Sequence, residues 1–131
     1  MKLLEEYINK IKDFLDKKEA ISYAFIFGSI LKEPLPQSDI DILIGGDIDS
    51  FERLDLSADL EMFFKKRVDL VVADQASCAL LMEAFSKGRR IFVNNEKKLK
   101  KDYFQAYYRY EDWIYLRDIS IDKLKKDAEN G

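Results

Sequence analysis

The 131-residue sequence contains no histidine. This absence removes Ser-His-Asp triads, HExxH metalloprotease sites, histidine metal cages and imidazole acid–base chemistry, so catalysis would have to rest on carboxylates, lysines, hydroxyls or an oxygen-held metal. Cysteine occurs once, at Cys78. One thiol makes neither an internal disulfide nor a cysteine zinc cluster, and it reads as a small buried hydrophobe. The two prolines, Pro34 and Pro36, deny their segment a continuous helix and make it a shaped loop. No apolar run approaches the roughly 18 residues of a membrane span. Glu5 and Glu6 also interrupt the N-terminus, where a secretory signal would be apolar. These readings give no membrane partner and an expected cytoplasmic location. The net charge of -3 and pI near 5.1 supply no drive to coat the chain in nucleic acid, so direct nucleic-acid binding is not expected.

What is present is a soluble globular composition, 47% apolar and 36% charged, of a length suited to one domain with one core. Residues 1–131 are read as that single domain, with a core over about 20–95, an N-terminal helix over about 2–17 and an aromatic-rich helical segment over about 96–128. Leu4, Tyr7, Ile8, Ile11, Phe14 and Leu15 recur at three- and four-residue spacing, the stripe of an amphipathic helix. Ile21 to Phe27 reads as a buried strand ending at Gly28, and Asp39 to Ile44 as a second ending at Gly45 and Gly46. Asp49 or Ser50 can cap a helix from Phe51 to about Lys65. Arg67 to Ala73 is a third strand, residues 76 to 87 a helix stopped at Gly88, and Arg90 to Val93 a fourth strand. From Glu96 to about Ala128 neither glycine nor proline intervenes, which predicts one long or once-broken helix. The fold class is α/β (α+β), with a small mixed sheet of about four strands flanked by helices.

The chemistry concentrates in FGSILKEPLPQSDIDILI. Strand residues two apart share a face, so Asp39 and Asp41 aim together with Cα atoms ~7 Å apart. Paired carboxylates repel each other, and a hard cation such as magnesium is the usual compensation. Gly28 lets a backbone or phosphate approach closely, and Ser29 offers a hydroxyl and an N–H to phosphate oxygens. Asp69 lies between apolar neighbours in RVDLVV, where a buried carboxylate is costly unless paired, and a neighbouring strand ~5 Å away would bring it to the same clamp. Each feature alone has an ordinary explanation: a solvated strand start, a turn, an edge-strand acid. Their succession at consecutive strand ends is harder to produce by accident.

These residues resemble the polymerase-β-type nucleotidyltransferase superfamily, whose signature is Gly-Ser, a gap of about ten residues, Asp-x-Asp and a later strand acid. The wording from Ser38 to Ile44 and from Arg67 to Val72 is similar to the minimal nucleotidyltransferase (MNT) branch, encoded beside HEPN-domain toxins. The resemblance implies a polymerase-β-like fold and two-metal transfer of AMP from ATP to a hydroxyl. Asp39, Asp41 and Asp69 would be catalytic and would hold magnesium or manganese. Gly28, Ser29, Lys32 and Ser38 would face the nucleotide. The implied acceptor is a tyrosine of a HEPN toxin partner, which would make the chain an enzymatic antitoxin. Where relatives commonly continue Gly-Ser with arginine and glycine, this chain has Ile30, Leu31 and Lys32.

Between Tyr103 and Tyr115 lie five of the seven tyrosines and the sole tryptophan. Helical spacing assigns Leu99, Tyr103, Tyr107, Tyr110, Ile114 and Ile121 to a core face, leaving Tyr108, Trp113 and Tyr115 for a partner or a second copy, as a homodimer or hetero-oligomer. Lys97, Lys98, Lys100 and Lys101 read as a solvated run. Two other functions stay open: a nucleotide-fold antitoxin that neutralises its partner by contact alone, and nucleotidyl transfer to RNA or a small molecule.

Overall fold

The computed structural model describes residues 2–32 and 38–130. Pro34, Pro36 and the loop assigned to them lie outside the described residues. Helix α1 (Lys2–Leu15) leads into strand β1 (Ile21–Phe27), a single turn α2 (Ser29–Lys32), β2 (Ile40–Gly46), α3 (Ser50–Phe64) and β3 (Val68–Val72). A 3-10 turn at Ala73–Gln75, α4 (Cys78–Lys87), β4 (Arg89–Val93) and α5 (Glu96–Asn130) follow. The sheet order is β3-β2-β1-β4, with β2 parallel to β3 and both other pairs antiparallel, giving a mixed α+β fold.

The central strands β1 and β2 bury both faces. Alternation along β2 sends Ile40, Ile42 and Ile44 into a core shared with Leu4, Ile8, Ile11 and Leu15 of α1 and Leu56 and Leu60 of α3. Leu43 joins Tyr23, Phe25, Phe27, Leu81, Ala84, Leu99 and Ala106 in the opposite core, beneath α4 and α5. Asp39 and Asp41 share the parity of Leu43, so they belong to the α4/α5 side of the sheet.

Local signals fix the helix ends. The Asp49 carboxylate accepts from Glu52 N–H at 2.8 Å to cap α3, and Ser77 Oγ accepts from Leu80 N–H at 3.2 Å to cap α4. The backbone of edge strand β3 is covered by α3: Ser57 Oγ donates to the Val68 carbonyl at 2.9 Å, and Glu61 accepts from Val68 N–H at 3.1 Å.

Three sequence expectations change. Cys78 is half-buried at the start of α4 rather than enclosed. Lys98 is not solvated: its ammonium lies 3.1 Å from Asp102 and 3.5 Å from Asp74, while the fully buried Tyr23 donates its hydroxyl to Asp102 at 2.7 Å. The expected core face of α5 is also displaced. Leu99, Asp102 and Ala106 are its buried positions, whereas Tyr103, Tyr107 and Ile121 are exposed and Tyr110 and Ile114 half-exposed. The cause is length: α4, with 10 residues, spans ~15 Å, while the 35-residue α5 runs ~52 Å and outreaches what it can pack against.

Candidate nucleotide-transfer site

The site is built where β1 ends and β2 and β3 begin. Phe27 pairs with Asp41, and Asp41 pairs in register with Asp69. Two carboxylates therefore stand side by side on adjacent strands, with Asp39 two residues before Asp41 on the same face. Lys66 anchors the two strand starts by donating to the Ser38 main-chain carbonyl at 3.1 Å.

Gly28 follows β1 directly and has φ +87, a left-handed conformation that side chains disfavour. A Cβ there would also press on the Asp41 carboxylate, which would have to shift to admit it. The chain then turns through α2, in which Leu31 N–H donates to the Gly28 carbonyl at 3.1 Å. Ile30 is buried, whereas Ser29 and Lys32 are exposed beside Gly28. Gly28, Ser29, Asp39, Asp41 and Asp69 thus share one end of the sheet, with Lys32 at the end of the adjoining turn.

Asp41 is half-buried, and its pKa is raised, first by desolvation and then by the charges of Asp69, Asp39 and Glu83, with Arg67 acting in the opposite direction. Of the two surroundings open to Asp69 from sequence, an enclosed strand or an exposed edge, the structure shows the edge. The Asp69 side chain is 55% exposed and lies 4.0 Å from the Arg67 guanidinium. Arg67 and Glu83 are contributors to the site that the sequence reading did not single out. Arg67 was legible from its position two residues before Asp69, on the same strand face. Glu83 comes to the acids only through the packing of α4.

The donor chemistry suits a magnesium-like ion. All three candidate ligands are hard carboxylate oxygens, and the crowding that raises Asp41 is what a cation would relieve. As the side chains stand, no group of three acids among the described residues is arranged to hold a metal by itself. An ion here would need additional oxygens, such as those of a nucleotide phosphate.

A sheet carrying paired acids against a glycine turn defines a nucleotidyltransferase architecture. Residues 9–97 match the family described as "Polymerase beta, Nucleotidyltransferase", and the chain belongs to that family. Among solved structures, the toxin–antitoxin MntA-HepT is similar at 22% identity and TM-score 0.72, over 92% of this chain and 98% of that one. A complex of tri-AMPylated Shewanella oneidensis HEPN toxin with MNT antitoxin is similar at 23% identity and TM-score 0.73, with the same coverage. A toxin–antitoxin with AMP-PNP matches at 22% identity and TM-score 0.72, again with that coverage. At these identities the likeness speaks for the fold. No curated protein matches the sequence significantly.

Proposed function

We propose that the chain is an MNT antitoxin that transfers AMP from ATP to a tyrosine hydroxyl of a HEPN-domain toxin in the cytoplasm. The observation that carries the transferase reading is the in-register pairing of Asp41 with Asp69 beside a glycine in a left-handed conformation. The similar MNT–HEPN complexes, one AMPylated and one holding AMP-PNP, support the choice of donor and partner.

In this reading Gly28, Ser29, Lys32 and Ser38 receive the triphosphate. Gly28 gives clearance, Ser29 a hydroxyl, and Lys32 the positive charge that arginine supplies in relatives. Asp39, Asp41 and Asp69 would hold magnesium or manganese, which would offset phosphate charge and lower the cost of ionising the acceptor. The acceptor oxygen forms a bond to the α-phosphorus as the bond to the bridging β-phosphate oxygen breaks. Pyrophosphate leaves, and the acceptor's proton passes to the exposed Asp69 carboxylate. The Arg67 guanidinium lies 4.0 Å from that carboxylate.

A second reading has its own observation. Ile30 is buried where relatives place a phosphate-facing stretch, so a contact-only antitoxin would keep the fold with a reduced nucleotide grip. One experiment separates the two. Purified chain, radiolabelled ATP and magnesium are mixed with a cognate HEPN protein, using wild type and Asp39→Asn/Asp41→Asn. The transferase reading expects label on the toxin, reduced at least ~100-fold in the double variant. Toxin neutralised equally by both proteins without label would establish the contact reading.

A further inference from the structure

Helix α5 stays beside α4 as far as Tyr110 and has little cover beyond it. On the distal seam Ile121 is 41% exposed and Leu124 68%, although a helix of this length in water gains most of its stability from packing. Its composition is not that of a solvated strut. Tyr107, Tyr110, Ile114, Arg117, Ile121 and Leu124 are separated alternately by three and four residues, the 3.5-residue repeat of a left-handed coiled-coil seam. The seam starts beside α4 at Tyr107 and Tyr110 and continues through Ile114, Arg117, Ile121 and Leu124 into the part of the helix that leaves the body, where a partner helix comes from another molecule.

We propose that α5 pairs with α5 of a second copy of this chain, antiparallel, along this seam. Charge selects both the occupant and the direction. Arg117 is the one charged residue among the six seam positions. In a parallel pair it would face its own counterpart across the interface. An antiparallel pair centred near residue 119 sets Arg117 against Ile121 and beside Asp118 of the second copy. On the same flank, four residues after seam positions 107 and 121, stand Glu111 and Lys125. Antiparallel pairing brings Glu111 of each copy to Lys125 of the other, making two oppositely charged contacts per dimer. Confined to the projecting part, the overlap spans about residues 111–127 and leaves the two folded bodies at opposite ends. A lipid surface would be a poor occupant, because Glu111, Asp112 and Asp118 would approach it. A second apolar stripe, Phe104, Tyr108, Tyr115 and Ile119, remains outside the pair.

The test is mass by light scattering across a dilution series, with helicity checked by circular dichroism. Wild type is expected at twice the 15.4 kDa chain mass. Glu111→Lys and Lys125→Glu are each expected to weaken dimerisation about tenfold, and the double exchange to restore it, because only the antiparallel register makes these positions face each other. These exposed substitutions keep the monomer folded. A wild-type chain that stays monomeric at roughly 100 micromolar would overturn the proposal, including the case in which α5 binds only a different protein. A double variant no tighter than either single one would overturn the antiparallel arrangement.

Discussion

At the residue scale, the site concentrates unfavourable charge where it can be relieved on binding. Asp41 is held half-buried among Asp69, Asp39 and Glu83, and its carboxyl pKa is raised by burial first and by those charges second. The sign of the consequence follows by linkage. Below the ordinary aspartate range both folded and unfolded chains carry a protonated Asp41, and the fold bears no penalty. As pH rises through the raised folded pKa, ionisation is harder in the folded state, so stability is lost. Asp41→Asn is therefore expected to raise the metal-free melting temperature at pH 7, and the gain should fade as pH drops towards the ordinary aspartate pKa. Thermal melts of both proteins over a pH series check it; an equal difference at every pH would argue against charge crowding. Asp39 and Asp41 were readable as a same-face pair because strand alternation is local, and the glycine turn was readable for the same reason. The exposure of Asp69 was not. A carboxylate between apolar residues looks alike in a central and an edge strand, and only the sheet order distinguishes them.

At the element scale, α5 is fastened to the sheet by a buried polar link rather than by apolar contact alone. Tyr23 in β1 and Asp102 in α5 are 79 residues apart in sequence, yet the hydroxyl–carboxylate bond is 2.7 Å and lies within the core. Lys98 supplies the counter-charge one helical turn earlier. Burial and the adjacent Asp102 push the Tyr23 hydroxyl pKa up, so it remains a donor. Gly45 belongs to the same arrangement, because a Cβ at that position would enter the Tyr23 ring. Tyr23→Phe leaves Asp102 short of a hydrogen bond in the interior and is expected to cost about 1–3 kcal/mol, measured by urea unfolding. A loss within error of zero would mean that water or Lys98 satisfies the carboxylate unaided. The elements themselves were largely legible. Every expected helix and strand forms, with boundaries shifted by a few residues, because caps such as Asp49 and stops such as Gly88 act locally. The link was not legible, since a lysine-rich run carries no mark of the one member that turns inward.

At the scale of the whole molecule, folding and association are assigned to different lengths of chain. The two cores end at Ala106, and residues beyond Tyr110 contribute little to either. A chain truncated after Tyr110 is therefore expected to lose its capacity to pair while its dilute-solution urea stability changes by no more than about 1 kcal/mol, since removing exposed side chains forfeits little burial. A larger loss would show that distal α5 supports the body. The length of α5 was visible as an unbroken run without glycine or proline. Its departure from the body was not, because the same apolar spacing would serve a core and an interface equally.

The projecting half of α5 also governs how the protein moves through solvent. A rod of ~30 Å attached to a small body drags more water than a sphere of equal mass, so even a monomer should sediment slowly and elute early from a sizing column. Apparent size alone would then imitate a dimer, and an antiparallel pair would resemble a dumbbell, with a second peak in its distance distribution by small-angle scattering.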